Sequence, residues 1–148
     1  MKILLVDDDF VDREQVKRIL RTEDPEVEFI EAESVDDGLI LFSHEQFDMV
    51  LLDYRMPKKD GIIMLRALRA MPVNQNVAIV MLSHSEDIQL SLDCIAEGAQ
   101  DFIVKGNIST GMLKRAVLHA QVRFELEQTL RRSFAETKRI AEQDSLTG

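Results

Sequence analysis

Residues 3–9 read ILLVDDD, so four consecutive apolar side chains run directly into three carboxylates. Continuous apolar runs of this length are typical of strands that are covered on both faces, as in parallel sheets. With Lys2 this run makes a first predicted strand, and four further runs follow at residues 27–31, 49–52, 77–82 and 101–104. The sequence therefore predicts five short strands.

The segments between these runs have helical patterns. Apolar side chains recur at helical spacing at Val16, Ile19 and Leu20, at Ile62, Leu65 and Leu68, and at Ile88, Leu92 and Ile95. Asp9 and Ser34 are suited to cap two of the helices, and Arg13 falls on the polar side of the first. Strands that alternate with helices of this length predict an α/β fold, a doubly wound (βα)₅ parallel five-stranded sheet with right-handed crossovers.

The last forty residues follow a different pattern, without Pro from residue 110 to residue 143. The first apolar positions lie 4, 3 and 4 residues apart, at Leu113, Val117, Ala120 and Phe124. This is the spacing of a coiled-coil seam, and a weaker stripe follows at Leu126, Leu130 and Phe134. We predict one continuous helix over residues 109–143 that leaves the domain and pairs with a second copy. A solvated tail is the alternative.

Composition excludes several classes of function. The chain has 148 residues with 27 acidic and 18 basic side chains, a net charge of −9, which argues against a general nucleic-acid binder. Its one cysteine, Cys94, excludes a disulfide framework and a cysteine-based zinc site. The apolar runs are far shorter than the ~20 residues of a membrane span. We expect a soluble, acidic, cytoplasmic domain without a nucleic-acid or membrane partner.

Polar side chains stand where four of the predicted strands end. Asp7 and Asp8 follow the first strand, Asp53 the third, Ser83 the fourth and Lys105 the fifth. Because the carboxyl ends of parallel strands meet at one edge of the sheet, we expect these side chains to lie together. Hard oxygen ligands suit Mg²⁺, with Mn²⁺ as a substitute. An aspartate at such a metal can attack phosphorus and form an aspartyl-phosphate.

Four ordered motifs over residues 1–122 resemble the response-regulator receiver domain of two-component systems. They are residues 3–9, residues 50–57 with Asp60 and Gly61, residues 80–83, and residues 98–105. The resemblance implies a flavodoxin-like receiver fold with strand order 2-1-3-4-5, to which the pattern of the last forty residues adds an extended C-terminal helix. It also implies a phosphorylation-dependent switch that receives its phosphoryl group from a sensor histidine kinase or a phosphotransfer protein.

The resemblance assigns roles at the sheet edge. Asp53 would be the phosphoacceptor and Lys105 would contact a phosphoryl oxygen. Asp7, Asp8 and Asp53 would hold Mg²⁺, with the backbone carbonyl of Arg55 as a further ligand. Such a module catalyses only its own phosphorylation and dephosphorylation and is not a turnover enzyme.

The resemblance also implies a switch, in which Ser83 moves to bind the phosphoryl group and Phe102 swings inward with it. A hydroxyl that bonds the local backbone is the alternative for Ser83. The chain departs from the family at Gly106, where the family usually has a proline joined to the lysine by a cis bond. A cis bond before a non-proline residue costs ~2.5–4 kcal/mol, so we predict a trans Lys105–Gly106 bond.

The end of the chain suggests the wider organisation. Residues 144–148, DSLTG, resemble the opening of a diguanylate cyclase (GGDEF) domain. We therefore expect a receiver domain over 1–122, a helical, coiled-coil-like linker over 123–143, and the first residues of an output domain at 144–148. A homodimer would form through the last helix and the face made by the fourth helix, the fifth strand and the last helix.

Two other functions use similar residues. A small Mg²⁺-dependent phosphatase would also attack with an aspartate, but such enzymes need a second aspartate two residues later, where this chain has Arg55. A receiver that acts only as an interaction domain is the other alternative. The presence of all five polar residues at the sheet edge argues against it.

Overall fold

A computed structural model describes residues 1–72 and 76–147, except for the side chains of Glu23, Asn107 and residues 143–147. The strands are β1 (Lys2–Val6), β2 (Glu28–Ala32), β3 (Met49–Asp53), β4 (Ala78–Ser83) and β5 (Asp101–Val104). They form one parallel sheet in the order β2-β1-β3-β4-β5. The predicted architecture and strand order are confirmed.

Five α-helices in the described part of the chain cover the two faces of the sheet. They are α1 (Phe10–Glu23), α2 (Val35–His44), α3 (Gly61–Arg69), α4 (Ile88–Ala96) and α5 (Thr110–Thr147). The predicted caps are present: Asp9 accepts hydrogen bonds from the first turn of α1, and Ser34 accepts one from Asp37. Both caps satisfy amide groups that have no partner within their helix.

The core consists of two layers, one on each side of the sheet. Ile3 and Leu5 of β1 pack with residues of α1 and α5, whereas Leu4 and Val6 pack with residues of α2 and α3. All four side chains are fully buried. Successive strand residues point to opposite faces, so a strand that is covered on both sides needs an unbroken apolar run.

The apolar face of α4 does not lie in the core. Ile88, Leu92 and Ile95 are 73%, 55% and 44% exposed, and the fully buried α4 residue is Cys94. The spacing predicted the helix correctly, but the stripe that it identified faces outward. Exposed apolar side chains that lie together on one side of a helix are a candidate interaction surface.

The predicted continuous helix is confirmed as α5, but its first apolar seam has another partner. Leu113, Val117 and Ala120 are buried in the core layer under α1, and Phe124 packs against that layer. The interpretation of these positions as a seam toward a second copy is therefore wrong. They hold α5 on its own domain, since burial in that core satisfies the same spacing.

Helix α5 leaves the domain beyond polar contacts with Gln100, the residue that precedes β5. Arg123 donates to the Gln100 carbonyl at 2.8 Å, and the Gln100 amide donates to Glu127 at 3.1 Å. The side chains of residues 129–142 are all exposed.

The predicted start of the output domain, at residues 144–148, lies where the structure describes no side chains. Gly148 lies outside the described residues altogether. Within residues 1–72 and 76–147, no helix has both the length and the apolarity to cross a bilayer.

Candidate functional site

The predicted polar residues meet at the carboxyl edge of the sheet. Asp7 follows β1, Asp53 ends β3, Ser83 ends β4 and Lys105 follows β5, and all four are buried. Asp8 is exposed beside them. The cleft at this edge is lined by Asp7, Asp8, Asp9, Asp12, Asp53, Arg55, Ser83, His84, Ser85 and Lys105. It contains six of the seven residues singled out from the sequence, all except Phe102.

The Lys105 ammonium is the centre of the site. Its Nζ lies 2.6 Å from Asp7 Oδ2, 2.9 Å from Asp53 Oδ1 and 3.0 Å from Asp12 Oδ2. Three carboxylates therefore share one buried cation, which is able to neutralise only part of their charge. The excess negative charge of the carboxylates favours the binding of a further cation. The ammonium itself is able to bind an anionic group that contacts it directly.

Burial and this sharing of charge shift the protonation of the cluster. Burial raises the pKa of Asp53 to about 6, although the Lys105 ammonium opposes the shift. Burial likewise raises the pKa of Asp7, against the hydrogen bond from Lys105. For Lys105, burial acts to lower the pKa, but its bonds to Asp7 and Asp53 outweigh burial and raise it. At neutral pH the lysine is a cation and Asp53 is largely an available carboxylate.

The acidic residues fit a divalent cation. Asp7, Asp8 and Asp53 each offer a carboxylate oxygen, and these oxygens all lie within 4.8 Å of one another. Hard oxygen donors with one exposed member match the preference of Mg²⁺ for a few carboxylates and retained waters. Arg55, whose backbone carbonyl is the predicted further ligand, lines the same cleft.

The two predicted switch residues lie in different surroundings. Ser83 Oγ lies in the cleft and accepts a hydrogen bond from the Ser85 backbone at 3.0 Å, the local bond foreseen as its alternative. Phe102 on β5 is half-buried against the core layer that contains Cys94. It also lines a separate groove with residues of α5, among them Met112 and His119. The Lys105–Gly106 bond is trans, as predicted.

Asp12 and Arg13 contact predicted site residues, and the sequence analysis did not predict these contacts. Asp12 in the first turn of α1 contacts Lys105, and its Oδ2 also lies 3.1 Å from His84 Nε2. Burial alone would raise the pKa of Asp12, but hydrogen bonds from Lys105 and His84 outweigh it and lower the pKa. Arg13 was expected on the polar side of α1 but is buried, and it donates to the Asp7 backbone carbonyl at 2.7 Å. An acidic residue early in a helix is also common for capping reasons alone, which hid the role of Asp12.

A close backbone approach fixes Asp53. The Gly61 amide donates to the Tyr54 carbonyl at 2.6 Å, which brings the start of α3 against the end of β3. A Cβ added at Gly61 would lie 2.1 Å from the Asp53 carbonyl oxygen. Because backbone atoms on both sides are tied into the sheet and the helix, neither is free to move away.

Replacing Gly61 with Ala is therefore expected to destabilise the domain by about 3 kcal/mol or more, since overpacking against backbone has no cheap relief. Urea unfolding followed by circular dichroism measures this change. Gly111→Ala is the matched control, because a Cβ at Gly111 has no neighbour within 4 Å. Equal unfolding midpoints for the two variants would contradict the close approach at Gly61.

This arrangement agrees with what comparison with known proteins finds. The family model for the response regulator receiver domain matches residues 3–117. The chain belongs to this family. Receiver domains bind Mg²⁺ at an acidic pocket, take part in two-component signalling with histidine kinases or phosphotransfer proteins, and are generally non-catalytic apart from their own phosphorylation.

Curated relatives of this receiver domain are longer than the chain. The cell cycle transcriptional regulator CtrA of Caulobacter vibrioides is 33% identical over 123 residues, which are 83% of this chain and 51% of CtrA. The cyclic di-GMP phosphodiesterase response regulator RpfG of Xanthomonas campestris is 26% identical over 140 residues, 95% of this chain and 37% of RpfG. The chain thus spans about half or less of these two relatives.

Solved structures share the fold. A CheY-like receiver domain protein from Methanospirillum hungatei matches with a TM-score of 0.72 and 25% identity, over 85% of this chain and 97% of that one. A probable two-component response regulator/GGDEF domain protein matches with a TM-score of 0.73 and 30% identity, over 84% of this chain and 50% of that one.

Proposed function

We propose that this receiver domain accepts a phosphoryl group on Asp53 from the phosphohistidine of a sensor histidine kinase or phosphotransfer protein. The observation that carries the proposal is the buried Lys105 ammonium, held within 3.0 Å of Asp53, Asp7 and Asp12 in one cleft. A nucleophilic carboxylate, a fixed cation and a carboxylate set for a divalent metal are the parts that phosphoryl transfer needs.

The chain's own residues supply the nucleophile and part of the charge neutralisation. An Asp53 oxygen attacks the phosphorus, an O–P bond forms, the P–N bond of the donor breaks, and the donor imidazole leaves with the bonding electron pair. The Lys105 ammonium stabilises the charge on the phosphoryl oxygens. Asp7, Asp8 and Asp53 would hold Mg²⁺ or Mn²⁺, with the Arg55 carbonyl as a further ligand. A bound cation of this kind supplies additional charge neutralisation.

The phosphorylated state would be transmitted by Ser83 and Phe102. The Ser83 hydroxyl is free to leave its bond with the Ser85 amide for a phosphoryl oxygen, because Oγ rotates about a single side-chain bond. The groove that Phe102 lines with α5 offers space for a rearrangement of its ring. Movement of the Ser83 hydroxyl and the Phe102 ring would couple the cleft to the face made by α4, β5 and α5.

The output is proposed to be a diguanylate cyclase (GGDEF) domain that begins at residues 144–148. The linker over 123–143 would carry the signal from the receiver domain over 1–122 to that domain. The solved response regulator/GGDEF protein, with its similar receiver portion, supports this choice.

A homodimer through α5 and the α4–β5–α5 face would align two output domains. We place the protein in the cytoplasm, in keeping with the buried free thiol of Cys94.

The two alternative functions are less well supported. A phosphatase of the expected type needs an acid–base aspartate two residues beyond the nucleophile, and Arg55 occupies that position in the cleft. A receiver used only for interaction has no need of a buried lysine shared by three carboxylates, since that arrangement costs desolvation energy. The phosphorylation-dependent switch gives a role to the lysine, to the proposed nucleophile Asp53 and to the predicted cation ligands Asp7 and Asp8.

The direct test is the intact mass of the protein after incubation with acetyl phosphate. We expect one added phosphoryl group with Mg²⁺ and none when the divalent cation is removed with a chelator. An unmodified protein under both conditions, with the fold intact by circular dichroism, would refute the proposed function.

Replacing Asp8 with Ala is expected to weaken Mg²⁺ binding by at least about tenfold, because it removes the exposed carboxylate of the ligand set. Calorimetric titration with Mg²⁺ measures the affinity. Asp9→Asn is the matched control: it removes the neighbouring charge but keeps a side chain that is able to cap α1. Equal affinities of the Asp8 variant and the wild type would mean that the ligand set is wrong.

A further inference from the structure

Each N–H bond of the Lys105 ammonium has a carboxylate available to it, since Nζ contacts Asp7, Asp53 and Asp12. Under the proposed function, two of these carboxylates have other roles, because Asp53 receives the phosphoryl group and Asp7 belongs to the cation set. Asp12 has neither role. Its contact with Lys105 is thus the one that does not compete with phosphorylation.

Asp12 is held in place from two further directions. Its backbone amide donates to Asp9 Oδ1 at 3.3 Å in the first turn of α1. Its Oδ2, the atom that contacts Lys105, also lies 3.1 Å from His84 Nε2 on the loop after β4. The side chain of His84 is 67% exposed, whereas that of Asp12 is 17% exposed. Asp12 therefore stands between the buried ammonium and an imidazole at the mouth of the cleft.

We propose that Asp12 is a positioning residue, which holds Lys105 Nζ in the cleft when Asp53 carries the phosphoryl group and Asp7 binds the divalent cation. His84 supports Asp12 from the solvent side. A lysine ammonium is a point charge on a flexible four-carbon stem, so its position depends on fixed acceptors. Loss of the one acceptor that stays constant lets the ammonium drift from the place where charge develops. This inference rests on the proposed phosphorylation of Asp53.

Asp12→Asn tests the inference in the full chain, with acetyl phosphate as donor and saturating Mg²⁺. We expect phosphorylation about tenfold slower than in the wild type, with the same final stoichiometry, since lost support for a charged group typically costs this much. Glu14→Gln is the matched control, because it removes one exposed carboxylate from the same helix. Its rate is expected to stay within about twofold of the wild type.

The role of Lys105 is tested by combining variants. In a Lys105→Gln background, Asp12→Asn is expected to change the remaining rate by less than about twofold, because the group that Asp12 positions is gone. If Asp12→Asn costs as much there as in the wild type, Asp12 acts on the cation or the donor through its charge, and the positioning role is overturned.

A second readout does not depend on phosphorylation. In Mg²⁺ buffer, the ε-ammonium protons of Lys105 in ¹⁵N-lysine-labelled protein are expected to exchange slowly enough to give an NMR signal. Asp12→Asn should remove this signal, and His84→Ala, at an exposed position that does not endanger folding, should broaden it. Unchanged signals in both variants would overturn the inference.

The two proposals fail in different ways. If the wild type takes no phosphoryl group, the proposed function fails, and the ammonium signal still reports whether Asp12 holds Lys105. If the wild type is phosphorylated and Asp12→Asn matches it in rate and in NMR signal, only the positioning role fails.

Discussion

Asp53→Asn is expected to abolish phosphorylation by acetyl phosphate and by any phosphohistidine donor. The amide has nearly the shape of the carboxylate but is not a nucleophile, so the O–P bond does not form. Asp53 is buried beside Lys105, and aspartate and asparagine side chains fill nearly the same space. The substitution therefore changes the chemistry with little change in packing. Intact mass spectrometry after incubation with Mg²⁺ and donor should find only the unmodified protein.

Asp93→Asn provides the control, since Asp93 is an exposed aspartate on α4, away from the cleft. It is expected to take one phosphoryl group, as the wild type does. Thermal unfolding of both variants separates a chemical loss from a loss of structure. Undiminished labelling of the Asp53 variant would show that another residue is the acceptor.

The sequence was sufficient for the sheet and for most of the cleft, for one physical reason. In a parallel sheet both faces are buried, so each strand is an unbroken apolar run and its carboxyl end is marked by the first polar residue. Asp7, Asp53, Ser83 and Lys105 stand at such ends, and the topology brings them together without further information. Their convergence could therefore be predicted from position in the chain, whereas their individual roles were assigned by the resemblance to receiver domains.

Residues outside the strand ends could not be placed in this way. Asp12 and Lys105 are 93 positions apart in the chain, and their contact depends on how α1 is rotated against the sheet edge. A carboxylate in the first turn of a helix already has a local explanation, because it interacts favourably with the helix N-terminus. Arg13 was hidden similarly, since a long cationic side chain is usually solvated rather than buried.

Helical periodicity also leaves open which surface an apolar stripe meets. Leu113 and Val117 on α5 have coiled-coil spacing but lie in the domain's own core, whereas Ile88 and Leu92 on α4 have similar spacing and lie in solvent. The pattern reports that one side of a helix is apolar, not what covers it. Only the packing of the whole domain distinguishes these two cases.

The part of α5 beyond the domain retains an uncovered apolar stripe, on which the proposed dimer depends. Leu126, Leu130 and Phe134 are 58%, 69% and 73% exposed. Burying side chains of this size against a partner helix is worth about 1.5–3 kcal/mol each. Replacing all three with Gln is therefore expected to weaken self-association by more than about a hundredfold and to leave a monomer. Sedimentation equilibrium of the full chain, with and without phosphorylation, measures this.

The matched control places the same residue type on neighbouring positions of the same helix segment. Thr129 and Ser133 are exposed and polar, and replacing both with Gln is expected to leave the association constant within about threefold of the wild type.

The apolar spacing changes between Phe124 and Leu126, which lie only two residues apart. This interruption should appear as a change of register in the paired helices. Because Phe124 packs on the domain while Leu126 is exposed, α5 passes between these two residues from its own core to the uncovered stripe of the proposed dimer. A wild-type chain that remains monomeric at high concentration, phosphorylated or not, would contradict the dimer.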